Sequence, residues 1–364
     1  MKIPFQFITL LAISSTIAAV PESAFRPPPE FSEDYGTFRS PLIFDDGSRV
    51  SSADEWPRRR GEILAYWHGV MGAWPPLLDA PAIKTLREGR RENFTQRRVA
   101  IDTAPNRTQD GWLLIPDGAG PFPAVLVVYY EPETSVALNA PEKHSSRDYG
   151  IQLARRGFVT LSIGTPGGDA WKPDIAGAQC QPLSFHAYVA ANCWKALASN
   201  PSVDPARIGI VGHSYGGKWS LFAGALWDKF ACVVVSDPGI VWDEKRGNVN
   251  YWEPWYLGYD ATTKRPKPGI PSPENPRTGA YARLVKDGRD LTDLHALIAP
   301  RPFLVSGGSE DPPERWIALN HAIAVNTLLG KPDRVAMTNR PAHSPDEESN
   351  AVVWAFFERA LKTR

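Results

Sequence analysis

Net charge is absent from this chain: 40 Lys and Arg stand against 40 Asp and Glu across 364 residues. Without a surplus of either sign there is no basic field to hold a nucleic acid and no acidic one to gather cations. A small neutral or locally charged substrate is the expected partner. Cysteine is scarce too, at three residues, and none stands at the Cys/His spacings that bind zinc. Nothing implies a metal or an organic cofactor. Internal repeats are lacking, which favours one large α/β domain over two small ones. Past the N-terminus, no apolar run reaches the length needed to span a bilayer.

Residues 1–19 carry Lys2, an apolar run over 5–17 and a small-residue exit at Ala18-Ala19. The run is too short to cross a membrane and leads into proline-rich polar chain, which is the pattern of a secretory signal peptide. The expectation is a soluble protein, secreted or periplasmic, that makes no membrane contact once the leader is removed. An oxidising compartment allows one disulfide. Cys180 and Cys193, which flank a short helix-like segment, are the expected pair, with Cys232 left in the apolar run 231–235.

What is present in strength is the run Ile208-Gly209-Ile210-Val211-Gly212-His213-Ser214-Tyr215-Gly216-Gly217-Lys218. It reads as a buried strand that breaks into a glycine-flanked serine and then a helix, the nucleophile elbow. Gly212 and Gly216 remove the side chains that would collide with the neighbouring strand and helix around a strained Ser214. The N–H of Tyr215 then opens a helix, where it is placed to hold a developing oxyanion.

The chain divides into an extended stretch at 20–50 and a domain over 51–364. Ser52-Ala53-Asp54-Glu55 caps a helix that ends before Gly72. Strand-like segments at 94–101 and 111–116 precede six aliphatic runs at 124–130, 158–163, 208–211, 231–236, 303–306 and 334–337. Short apolar strands separated by helix-length segments predict a mostly parallel central sheet with helices on both faces. The segment 238–290 is too long for an ordinary loop. It reads as a cap inserted before the penultimate strand, over the C-terminal edge where ligands bind in such sheets.

A serine hydroxyl needs a base and an orienting acid, in the chain order Ser, Asp or Glu, His. Of seven histidines, His343 alone follows the last expected strand and precedes the final helix. His68, His186, His295 and His321 fall in helical stretches, His144 lies in a polar loop, and His213 sits in the elbow pointing away from a base's position. Two carboxylates stand just past strand ends: Asp311, which is favoured, and Asp237, the alternative. The second oxyanion donor is expected at the backbone N–H of Glu131, or its neighbour, after the strand 124–130. Lys218, on the first turn of the elbow helix, either pairs with a surface carboxylate or faces the cleft to bind an anionic group. The insertion's aromatics, Trp252 and Trp255 among them, either build the cap's own core or stack on sugar rings.

On these residues the chain resembles the α/β-hydrolase superfamily, and within it the secreted bacterial carbohydrate esterases of the glucuronoyl esterase and acetyl xylan esterase kind. Asp54-Glu55-Trp56-Pro57-Arg58-Arg59-Arg60-Gly61-Glu62-Ile63-Leu64 is similar to the N-terminal segment of glucuronoyl esterases. The elbow matches their G-C-S-R-x-G-K spacing, with Lys218 at the lysine that contacts the uronate. Leu297-Ile298-Ala299-Pro300-Arg301-Pro302 resembles the approach to their next strand, and Asp237 occupies the post-strand position where many keep the acid. The resemblance implies a secreted serine carboxylic-ester hydrolase acting on an acyl or methyl ester of a carbohydrate. One departure stands inside the motif: the family's arginine after the nucleophile is Tyr215 here, and a neutral phenol cannot supply that charge. Two rival readings are a serine peptidase of the prolyl-oligopeptidase or dienelactone-hydrolase-like group and a non-catalytic carbohydrate-binding protein on a hydrolase scaffold.

Overall fold

Nine strands form one sheet among the described residues, which in this computed structural model are 19–139, 146–246, 252–265, 267 and 269–363. They are β1 (Ile83–Arg91), β2 (Phe94–Ala104), β3 (Arg107–Pro116), β4 (Phe122–Val128), β5 (Val159–Ile163), β6 (Val203–His213), β7 (Cys232–Ser236), β8 (Phe303–Gly307) and β9 (Val335–Asn339). Their spatial order is β1-β2-β3-β5-β4-β6-β7-β8-β9. Pairings from β1 to β5 are antiparallel, and those from β5 through β4 to β9 are parallel.

Side chains on a strand alternate between faces, and β4 shows how this sheet is buried on both. Ala124, Leu126 and Val128 join one apolar cluster, while Val125 and Val127 join another. The first face is covered by α1 (Trp56–Met71), α4 (Pro182–Ala198), α5 (Tyr215–Leu226), α8 (Thr292–Ile298) and α9 (Trp316–Leu328). The second is covered by α3 (Tyr149–Arg155) and α10 (Glu347–Leu361). Single turns at α2 (Pro132–Ser135) and α6 (Glu253–Tyr256), and the short α7 (Gly279–Lys286), lie in connections. This is the mostly parallel, doubly covered sheet expected from the aliphatic runs.

β1 is the strand that periodicity misses. It packs on neither face, so Lys84, Arg87, Glu88 and Arg90 are exposed on both sides and no apolar alternation marks it. The stretch 20–50 departs from a plain extended run by two 3-10 turns, Glu22–Phe25 and Pro29–Phe31. Phe25 stacks on Phe356, and Asn320 and His321 bond the carbonyls of Phe31, Asp34 and Tyr35. The expected leader lies outside the described residues apart from Ala19, as does His144.

The expected disulfide does not form: Cys180, Cys193 and Cys232 are separate buried thiols. Cys180 precedes α4, whereas Cys193 lies about 16 Å along that helix at 1.5 Å per residue, far beyond disulfide reach. Burial pushes the Cys193 thiol up to about 12 and that of Cys180 to about 11.

Candidate active site

The elbow turns at the end of β6, where Ser214 takes φ 56° and ψ −122°, a conformation costly for a residue with a Cβ. A side chain at Gly212 would strike the carbonyl of Gly216, and one at Gly216 would strike that of Val128. The glycines therefore let the elbow close against β4.

Ser214 Oγ lies 2.9 Å from His343 Nε2, and His343 Nδ1 lies 2.7 Å from Asp237 Oδ2. A carboxylate at Nδ1 holds the proton there and leaves Nε2 as the acceptor for the serine hydroxyl. His343 is partly open to solvent, whereas Asp237 is fully buried. The other oxygen of Asp237 accepts from the N–H groups of Gly308 at 2.6 Å, Asp311 at 2.8 Å and Glu310 at 3.1 Å.

Asp311, the favoured acid in the sequence, does not reach the histidine. Its two oxygens accept from the N–H groups of Gly239 at 2.9 Å and Ile240 at 2.7 Å. Topology explains the exchange. β7 neighbours β6, so the residue following β7 stands beside the elbow, while β8 is one strand further out. Asp311 instead turns inward and clasps the loop after Asp237, as that loop's carboxylate clasps the backbone of 308–311. Burial and the nearby Asp237 push the Asp311 carboxyl up to about 6.

Tyr215 opens α5, so its N–H has no intrahelical acceptor. Glu131 caps α2 just past β4, and the carbonyl before it, on Tyr130, accepts from Thr165 N at 2.9 Å and Thr165 Oγ1 at 3.1 Å. Because C=O and N–H oppose one another across a trans peptide, that anchoring turns the Glu131 N–H away from Thr165.

The Tyr215 ring is fully buried and its hydroxyl bonds His186 Nε2. Burial raises this phenol well above its ordinary range and pushes the His186 imidazole down to about 3. Tyr130 at 4.9 Å, Trp252 at 4.7 Å and Tyr256 at 5.5 Å surround the ring, forming a mostly buried aromatic cluster behind the residue after Ser214. Trp252 thus packs against the residue that follows Ser214. Trp255 packs edge-on to Tyr259 within the insertion and joins the large apolar cluster on the first face of the sheet, not a separate core.

Lys218 meets neither of its expected partners. It is buried, and its ammonium donates to the Glu253 carboxylate and the Gly239 carbonyl. A first-turn residue of α5 faces the underside of the insertion here, and Glu253 supplies the counter-charge. Lys218→Met should destabilise the protein by about 3–5 kcal/mol by leaving Glu253 charged and alone, with much of the loss recovered in Lys218→Met/Glu253→Leu. Denaturant unfolding of the three proteins checks this, and a double variant no better than the single one defeats it.

Two residues near His343 escape sequence reasoning. His213, expected to point away, places its ring 4.7 Å from that of His343, with Nδ1 3.1 Å from Ser236 Oγ. Burial, then the neighbouring His343, Arg147 and Arg340, lowers its affinity for a proton well below the usual histidine range. Arg340 lies three residues before His343, and that spacing is the one hint of it in the sequence. Among the described residues no group of three or more His, Cys, Asp or Glu is arranged to hold a metal ion, and no helix is long and apolar enough to cross a membrane.

The prolyl oligopeptidase family matches residues 148–270. A 4-O-methyl-glucuronoyl methylesterase of Schizophyllum commune is 26% identical over 55% of this chain, spanning 49% of that protein. The 4-O-methyl-glucuronoyl methylesterase 1 of Wolfiporia cocos is 24% identical over 98% of this chain and 90% of its own length. Among solved structures, a glucuronoyl esterase from Solibacter usitatus superposes with a TM-score of 0.70 at 18% identity, covering 89% of this chain and 97% of that one. With this sheet, elbow and set of neighbours, the chain has the α/β-hydrolase fold.

Proposed function

We propose that the protein is an exported serine ester hydrolase that cleaves an acyl or methyl ester of a carbohydrate. The observation that carries the reading is the hydrogen-bonded series from Ser214 through His343 to Asp237. In this mechanism Ser214 attacks the ester carbonyl while His343 Nε2 takes its proton. The N–H groups of Tyr215 and Glu131 hold the tetrahedral oxyanion, and His343 returns the proton to the leaving alcohol. Asp237 orients the imidazole and stabilises its cation. Water then repeats the sequence on the acyl-enzyme.

The carbohydrate assignment draws on the methylesterases that the chain resembles. Two local features bear on the acyl group. Tyr215 brings an uncharged ring to the residue after the nucleophile, and Lys218 is already paired with Glu253. Export rests on the apolar leader over residues 1–19.

A second reading, peptide hydrolysis, is favoured by the match to the prolyl oligopeptidase family. Purified protein assayed on acetyl, feruloyl and methyl-uronate esters alongside peptide amides separates the two. Ester cleavage with negligible amide cleavage is expected. Amide turnover equal to or above ester turnover rejects the esterase, and no turnover of either rejects both.

A further inference from the structure

Arg340 is nearly buried at the C-terminal edge of the sheet, and every donor of its guanidinium is used. Nη1 donates to Ser306 O at 2.9 Å, Ser306 Oγ at 3.1 Å and Gly307 O at 3.2 Å. Nη2 donates to His343 O at 2.6 Å and Ser236 Oγ at 3.3 Å, and Nε to Ser344 O at 2.9 Å. All six acceptors are neutral. Placing a cation among neutral acceptors forgoes its hydration without the return of an ion pair, so the arrangement is a costly way to stabilise a loop. What a planar five-donor fork does well is fix several acceptors at once.

Those acceptors belong to the parts that must meet in the reaction. Ser236 immediately precedes Asp237. Ser306 and Gly307 end β8, and the next residue, Gly308, donates to Asp237. His343 and Ser344 form the loop of the base. Two further contacts brace the same loop. His213 bonds Ser236 Oγ while its ring lies against that of His343, and Arg147 donates to Ser344 Oγ at 2.7 Å and to Tyr129 Oη at 3.2 Å.

We propose that Arg340 is a positioning residue for ester hydrolysis, its guanidinium holding the His343 loop against β7 and β8 so that Nδ1 meets Asp237 and Nε2 meets Ser214. The inference rests on the reading of the protein as a serine ester hydrolase. Arg340 touches no reacting atom and acts only through His343.

Arg340→Lys tests it, because a single ammonium keeps the charge but cannot span acceptors on three elements. Its kcat on an activated ester should fall about 10–100-fold with KM within about twofold, the cost of a displaced catalytic group. The low-field proton resonance of His343 Nδ1, which reports the bond to Asp237, should broaden or vanish. Ser236→Ala, which removes one hydroxyl from the network, should show both effects more weakly. A folded lysine variant with parental kcat, or one that loses kcat while the resonance persists, overturns the proposal. Should Arg340→Lys fail to fold, Ser236→Ala decides, and parental kcat and resonance there overturn it equally. A parent protein inactive on every ester would remove the functional reading instead, while the resonance comparison, which needs no substrate, would still judge Arg340.

Discussion

Ser214→Ala should abolish ester hydrolysis, with kcat on an activated ester lower by about six orders of magnitude, as when the nucleophile of a serine triad is removed. The Oγ atom bonds His343 Nε2 in the cleft and fills no part of the core, so the variant should unfold at the parental denaturant concentration. The remaining donors at Tyr215 and Glu131 can still polarise a bound carbonyl, which leaves a small residue of catalysis over water. Steady-state hydrolysis and equilibrium unfolding of the same preparation give the answer. A well-folded variant that retained most of its turnover would mean that another group attacks the ester.

The second large effect separates the two aspartates. Asp237→Asn should lower kcat by about four orders of magnitude, the cost of losing the orienting carboxylate in a triad hydrolase. An amide at that position donates to Nδ1 and drives the imidazole proton to Nε2, where it faces the Ser214 hydroxyl instead of accepting from it. Asp311→Asn should stay within about tenfold of the parent, because that side chain holds backbone N–H groups and does not touch His343. Its loss should appear mainly as reduced stability, since an amide leaves one of the Gly239 and Ile240 donors unmet. Parallel kcat measurements decide the point, and a larger loss for Asp311→Asn would move the acid back to the β8 side.

The two aspartates also mark where sequence reasoning stops. Both follow aliphatic runs and both precede proline, so local chemistry ranks them only by habit. Which carboxylate meets the base depends on strand order, with β7 beside β6 and β8 beyond it, and order is a property of pairing between distant segments. Ser214 and His343 were legible because each is marked locally, one by flanking glycines and the other by its place after the last strand. The parallel sheet was legible for the same reason, since aliphatic runs announce strands that are buried on both faces. β1 carries no such mark, and neither do Lys218, whose partner is 35 residues away, and Arg340, whose acceptors come from three elements. His213 does not take the place of His343 at Ser214, and its contact with the His343 ring follows from Ser236 on the adjacent strand, which the turn alone does not show.

The insertion between β7 and β8 is fastened to the body of the protein at several distant points. Glu253 is tied to Lys218 on the elbow helix, Tyr256 Oη donates to Ala170 O at 2.6 Å, Tyr259 N donates to Gln181 Oε1 at 2.9 Å, and Tyr66 Oη on α1 donates to Asp287 Oδ2 at 2.6 Å. Swinging it aside would expose the Lys218–Glu253 pair and break these bonds together, at a cost comparable to much of a domain's stability. Substrate therefore enters and product leaves over a standing rim. On the proposed function, turnover is free of the gating step that limits enzymes with mobile covers, and solvent viscosity should have little hold on kcat. On that same reading, discrimination among esters falls to the shape that the described part of the cleft already holds before anything binds.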